Sequence, residues 1–321
     1  MAVAFVTTLK LSSHWLPPKR YAFATGMLLV AGMTGAVFAG YPLHQATIMF
    51  GWRNVTLASA LLALLMAVLV FMFVCDDPSE KGLKSYLDKE SSGQKEEKIL
   101  RSLGRVFRFS NTWFLTIAPG GIVGAVLTFS GLWGVPFLTE VYHLENATAA
   151  TLCSLVMLAW ALSGPIYSLV SERIQLRRMP YLIGTMISLI SWSLVFLIPG
   201  WSLGVLSLLL FLAGFFSGGM ILGFAQGKET LPLSLSGTVS GVINMGVLTG
   251  PMLLQPLVGF LLDSSKLTAR ASMEIAVGFS FEDYRFAFLP VLIWLVLSVL
   301  ALYLSQESYC KNKIFNETNS G

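Results

Sequence analysis

Eight stretches of this chain are apolar for about twenty residues or more: 21–50, 55–74, 113–141, 148–170, 180–199, 203–227, 236–262 and 286–305. Roughly 20 apolar residues are what a helix needs to cross the hydrocarbon core of a bilayer. Strands of an outer-membrane barrel would be about half as long and would alternate apolar with polar residues. These runs are long and apolar on all sides, so they predict helices. The fold class expected is all-α: a polytopic membrane protein built as a helical bundle with 8 complete transmembrane helices.

Composition excludes most alternatives. Charged residues make up 12% of the 321, against about 25% in soluble domains. A chain so poor in charge cannot cover a water-facing surface, which argues against a cytosolic enzyme and against disorder. The net charge of +4 offers no continuous basic face for nucleic acid. Cys75, Cys153 and Cys310 are scattered, as are His14, His44 and His143, so no disulfide framework, metal site or cofactor is implied. There is no phosphate loop and no nucleophile elbow, and nothing points to catalysis.

Charge distribution sets the expected orientation. Of the 21 Lys and Arg, 16 fall on one side of the spans, including Lys19, Arg20, Arg173, Arg177, Arg178, Lys228 and eight in the loop 76–111. Arg53, Lys266, Arg270 and Arg285 fall on the other, and Lys10 lies in a leading apolar segment too short to cross. The positive-inside rule then puts both termini in the cytoplasm. Within the loop, Ile99, Leu100, Leu103, Val106 and Phe107 fall near one helical face, flanked by Lys98, Arg101, Arg105 and Arg108. Two readings stand for it: a basic amphipathic helix on the inner membrane surface, or a partly disordered linker.

The two sides of that loop repeat each other. Leu16-Pro17 and Gly26 recur as Leu231-Pro232 and Gly241 at an offset of 215 residues, and Pro42-Leu43 recurs as Pro256-Leu257. Repeated halves are a transporter signature, with substrate held between them near the bilayer midplane. The second half carries four spans before its last two, whereas only 16 residues precede Pro17. About 100 residues, four helices by analogy, therefore lack a counterpart in the first half. The expected division is a remnant of an N-terminal transmembrane bundle over 1–75 and a cytoplasmic charged linker over 76–111. A complete six-helix bundle over 112–306 and a cytoplasmic tail over 307–321 follow.

Several stretches resemble the major facilitator superfamily. They are Ser13 to Arg20 followed by Ala24-Thr25-Gly26, Phe50-Gly51-Trp52-Arg53, Gly131 to Leu138, Lys228 to Asn244, and Gln255 to Asp263. The family's inner-loop signature, a glycine, Asp-Arg, a further glycine and a basic pair, is similar to Ser168–Arg178. Glu172-Arg173 stands for Asp-Arg, Arg177-Arg178 for the basic pair, and Ser168 and Gln175 for the glycines. The resemblance implies helices five to twelve of a twelve-helix transporter, preceded by the end of helix four. It implies secondary active or facilitative transport of a small organic solute by alternating access, impaired in a chain truncated in this way, with a coupling proton or sodium ion or without one. Amino acids, dipeptides, sugars, organic acids and nucleosides all remain open as solutes. The alternative is a non-functional fragment, a misplaced start, or a half-transporter subunit. The expected setting is a bacterial inner membrane, with lipid as surroundings and no stable protein partner.

Polar groups inside spans are costly and default to functional candidates. Trp133, Asn244, Gln255, Thr128 and Gln226 are the expected substrate contacts, with Ser130 beside them and Trp160 and Trp192 as further aromatic walls. Glu172, Arg173, Arg177 and Arg178 are the expected inner-loop gating residues. Glycines four apart, among them Gly120 and Gly124, and Gly246 and Gly250, predict close helix packing.

Overall fold

A computed structural model describes residues 18–39, 41–75, 99–232, 235–271 and 278–310, with isolated positions before Pro18 and at 78 and 82. Nearly all of residues 76–98 of the expected linker, the loop 272–277 and the tail beyond Cys310 lie outside the described residues. The described residues form helices and no strand. We number them α1 (Pro18–Ala39), α2 (Tyr41–Phe50), α3 (Trp52–Phe73), α4 (Ile99–Val106) and α5 (Ser110–Val141). Then follow α6 (Asn146–Ile174), α7 (Arg178–Leu197), α8 (Leu203–Thr230), α9 (Ser236–Ala271) and α10 (Phe281–Leu304).

Among the described residues, seven helices rather than eight are long and apolar enough to cross a membrane: α3 and α5 to α10. The run 21–50, expected as a further span, carries α1 and α2, with residue 40 between them outside the described residues.

Between helices in lipid, apolar surface alone gives no net attraction, because the tails are as apolar as the side chains. Close backbone contact and hydrogen bonds must do the work instead. The α5–α9 contact follows that rule. These two helices run parallel, and their glycines face each other. A Cβ built at Gly246 would collide with the Thr116 carbonyl, and one at Gly250 with the Gly120 carbonyl. A Cβ at Gly124 would lie 3.2 Å from the Gly250 backbone. On the other face of α5 runs α10, antiparallel to it, with the Trp294 Nε1–H donating to the Ile117 carbonyl at 3.2 Å. The helix α8 packs between α6 and α7, with Gly214 against the Val156 backbone and Gly218 against Ser163. A contact between α7 and α10 joins the two groups.

The bundle interior is aromatic toward the end where α10 begins. Phe196 and Phe288 stack at 4.1 Å, Trp192 stacks on Phe196 at 5.1 Å, Phe137 meets Phe196 and Phe288 edge-on, and Phe129 lies tilted against Trp192. Trp192 and Trp160 are buried in this interior rather than walling a cavity. The Tyr284 hydroxyl donates to Glu140 at 2.7 Å, which ties the ends of α5 and α10.

Outside the bundle, α1 crosses α6. A Cβ at Gly26 would sit 2.9 Å from the Pro165 nitrogen, so only glycine permits this approach. Among the described residues, the helix α3 buries none of its own; its run of apolar side chains suits a lipid environment. The basic helix α4 is formed, and its apolar side packs on the bundle instead of facing lipid. Val106 is fully buried, and Leu103 and Phe107 pack against the core.

This packing generates a contrast. Gly250→Ala should cost about 2–4 kcal/mol, because the added methyl meets backbone that cannot give way. Gly241→Ala meets nothing within 4 Å and should be neutral or stabilising by up to about 1 kcal/mol through helix propensity. Thermal unfolding of the two variants in one detergent measures the difference.

Candidate functional site

Four of the expected polar and aromatic positions lie together past the midpoint of α5. There the α-helix opens into a π-turn, Phe129–Trp133, a distortion found often at functional sites. One residue of α9 clamps both ends of the turn. The Gln255 side-chain Nε2–H donates to the Leu127 carbonyl at 3.0 Å, and the Gln255 carbonyl accepts the Trp133 Nε1–H at 3.0 Å. The Trp133 ring lies over Gly259, where a Cβ would stand 2.9 Å from it. Between the clamped ends, the buried hydroxyls of Thr128 and Ser130 have no hydrogen-bond partner in the protein. Gly131 and Leu132 are exposed beside them. Two hydroxyls, each able to donate and accept, thus stand at a turn held open from the neighbouring helix.

The other two candidates lie elsewhere. Asn244 is three helical turns before Gln255, about 16 Å along α9, and is 7% exposed. Gln226 is fully buried near the end of α8. Its Nε2–H donates to the Gln306 carbonyl at 2.7 Å and to the Ser305 Oγ at 3.3 Å, while its Oε1 has no partner. Gln226 therefore belongs to a second cluster, at the end of the bundle where α6 and α8 finish and α5 and α7 begin.

An ion pair centres that cluster. Arg177 sits in the short connection between α6 and α7, and its guanidinium reaches Glu229 of α8. Nη2 is 2.9 Å from Oε1, and Nε is 3.2 and 3.3 Å from the two oxygens. Its Nη1 donates to the Ser171 Oγ at 3.1 Å. Burial disfavours the Arg177 cation, but the hydrogen bonds and charge of Glu229, aided by Cys310 and Glu172, outweigh it. They hold the guanidinium pKa above its ordinary value. The stability this adds is therefore present below the ordinary guanidinium range and is lost only as pH rises above it.

The strand of chain after α10 closes the cluster from beneath. Glu307 accepts the backbone N–H groups of Arg177 and Arg178 at 2.7 and 2.9 Å. A carboxylate thereby caps the N-terminus of α7, where the helix dipole favours negative charge. The Ser308 hydroxyl donates to Glu229. Asn111, at the start of α5, donates to the Thr230 Oγ1 at 3.0 Å and accepts the Gln306 N–H at 2.9 Å. Residues of α5, α6, α7, α8 and the post-α10 segment are joined in one network.

Of the four expected gating residues, Arg177 holds the buried pair. Glu172 lies within the charge field of Arg177 and Glu229. Arg178 stacks over the Tyr303 ring at 5.5 Å, and Arg173 is exposed. Gln175, standing where the family signature has a glycine, adopts φ 57° as the left-handed cap of α6, a conformation that glycine takes without penalty. Glu229 and Glu307 were missed by sequence reasoning. The available signal was two acidic residues at helix ends on the same side as the basic pair.

Removing one partner strands a largely buried charge, whereas removing both does not. Arg177→Met and Glu229→Leu should each destabilise by about 2–4 kcal/mol, and the double variant by less than their sum. A double-mutant cycle on detergent-solubilised protein measures the coupling.

The sequence profile of the Major Facilitator Superfamily matches residues 1–254. No curated protein matches the chain. Among solved structures, the chain is similar to a bacterial homolog of the human lysosomal transporter Spinster in its inward-facing, unoccupied conformation. The two are 16% identical with a TM-score of 0.58, over 92% of this chain and 73% of that one. The same homolog in its occupied conformation gives 16% identity and a TM-score of 0.51, over 92% and 72%. At such identity the likeness is one of fold. With the profile spanning most of its length, the chain belongs to the Major Facilitator Superfamily, whose members move solutes across membranes by alternating access.

Proposed function

We propose that this protein carries a small organic solute, and that the solute's polar groups are met at the π-turn of α5. The observation that carries this reading is the pair of buried, unpartnered hydroxyls, Thr128 and Ser130, inside a turn clamped by Gln255. An unpartnered hydroxyl in a low-dielectric interior is costly, and a polar ligand would relieve that cost. Trp133 offers a flat apolar wall beside them. Because the polar atoms of Trp133 and the Gln255 amide nitrogen already serve the clamp, these two residues act mainly by shaping the turn. The cluster around Arg177 and Glu229 is read as a latch holding the inner ends of α6, α7 and α8 as one body while the bundle rocks. Amino acids, dipeptides, sugars, organic acids and nucleosides remain the solute classes, and the setting is a bacterial inner membrane.

Reconstitution into vesicles tests this. Saturable uptake of one of these solutes is expected, reduced about tenfold by Thr128→Val, which removes one hydrogen bond worth about 1–1.5 kcal/mol. Gln255→Ala should reduce it further through loss of the turn geometry. Uptake untouched by either substitution would remove the π-turn from the substrate path.

The charge asymmetry supports an orientation with the Arg177 end in the cytoplasm. Reporter fusions at Ser92 and Asn319 should both read cytoplasm, and one at Ser272 the opposite side. A fusion at Ser92 reading the outside would reverse the assignment.

A further inference from the structure

The polar groups that the π-turn of α5 keeps for a ligand carry no charge. Thr128 and Ser130 offer hydroxyls, both buried and without a partner in the protein. Gln255 and Trp133 clamp the turn through neutral groups. The surroundings are apolar. The Trp133 ring lies over Gly259, and Leu254 stands against Gly124, one turn before Thr128. Phe129 packs on Trp192 and Phe288, with ring centroids 5.1 and 6.3 Å away.

Charged side chains stand off from this place on the helices that the turn touches. On α5 the nearest is Glu140, ten residues past Ser130 and about 15 Å along the axis. It is engaged by the Tyr284 hydroxyl at 2.7 Å and the Phe279 N–H at 3.3 Å. On α9 it is Asp263, exposed and eight residues past Gln255, or about 12 Å. The helix α6 backs the turn at Cys153, whose Sγ would stand 2.7 Å from a Cβ at Gly134. Its nearest charge is the exposed Glu145, eight residues away. On α7, reached through Trp192, it is Arg178, fourteen residues away and about 21 Å along the axis. The helix α10 brings charge nearest, with Arg285 three residues before Phe288. That arginine is exposed and pairs with Glu282 at 3.2 Å, and Asp283 beside it is held in the cap of α10 by Ser280. Among the described residues, each of these charges is distant along its helix, exposed or already engaged.

We propose that the π-turn selects an uncharged solute bearing ring hydroxyls, a sugar or the ribose of a nucleoside, over amino acids, dipeptides and organic acids. A serine or threonine hydroxyl donates one hydrogen bond and accepts others, and the hydroxyls of such a solute do the same. A carboxylate or ammonium brought here would give up its hydration and meet no counter-charge. Hydrogen bonds to two neutral hydroxyls return far less than that loss. The flat face of a sugar ring or base finds apolar contact on Trp133, and a few polar groups set in an aromatic and aliphatic wall are the usual make-up of a small-molecule site. This inference rests on the π-turn being where the solute is met, as proposed above.

The test is calorimetric titration of the full chain in neutral detergent. D-glucose and uridine serve as uncharged probes, and L-glutamate, L-lysine, glycylglycine and succinate as charged ones. At least one uncharged probe should bind about tenfold or more tightly than any charged one, the charged probes bearing the desolvation loss. Its affinity should be the same at low and high salt, since no ion pair holds it. Thr128→Val should weaken it about tenfold by removing one hydrogen bond. Thr128→Ser, which keeps the hydroxyl, should preserve most of it. Ser130→Ala should act in the direction of Thr128→Val, so the result does not hang on the folding of one variant, and melting temperatures report that folding. Tighter binding of a charged probe that Thr128→Val weakens would overturn the selectivity while leaving the π-turn as the solute site. Binding that both Thr128→Val and Ser130→Ala leave unchanged would remove the π-turn itself, and the selectivity with it. Absence of binding by every probe would overturn the assignment to sugars and nucleosides.

Discussion

Backbone touches backbone where α5 crosses α9, and the rest of the bundle is arranged around that contact. In hydrocarbon, burying a leucine against a helix gains little over burying it in lipid. What distinguishes one helix pairing from another is how closely the backbones can come. Gly120 and Gly124 opposite Gly246 and Gly250 bring α5 and α9 to a distance that any side chain would forbid. That closeness lets Gln255 reach across to the Leu127 carbonyl one to two turns beyond the glycines. The clamp at the π-turn is thus a consequence of the glycine crossing, and a substitution at Gly250 would disturb both.

At the other end the constraint is electrostatic. The connection from α6 to α7 is short, and α7 starts with its first N–H groups facing inward. Glu307 satisfies two of them, and Glu229 neutralises the arginine in the same connection. Each acid alone would be a poorly solvated charge. Together with Arg177, Ser171 and Ser308 they form a set in which every ionised group has a partner, the condition under which a buried pair is tolerable. The residues just past α10 are therefore structural members of the bundle and not free tail.

The two clusters differ in their degree of completion, and the proposed function reads that difference as a holding role set against a receiving one. Around Arg177 the hydrogen-bonding capacity is largely used within the protein. At the π-turn, Thr128 and Ser130 keep theirs unspent. Gln226 is an intermediate case: its amide nitrogen is committed to the post-α10 segment and its oxygen is not. Its position groups it with the Arg177 cluster despite its having the residue type expected of a substrate contact.

The sequence by itself determined the helical class, the placement of seven spans and the side on which basic residues collect. Each of these follows from local composition: a run of twenty apolar residues has no other low-energy state in lipid. It also carried the glycine spacing at Gly120, Gly124, Gly246 and Gly250, though not which glycine meets which. Tertiary structure decided the pairings. Arg177 finds Glu229 across 52 residues and Glu307 across 130, and Gln255 finds Leu127 across 128. Such contacts depend on how each helix is rotated about its axis, which an all-round apolar span does not encode locally. Only the packed bundle decided that Arg177 rather than Arg173 is buried, that Trp192 is core, and that α4 lays its apolar side on protein.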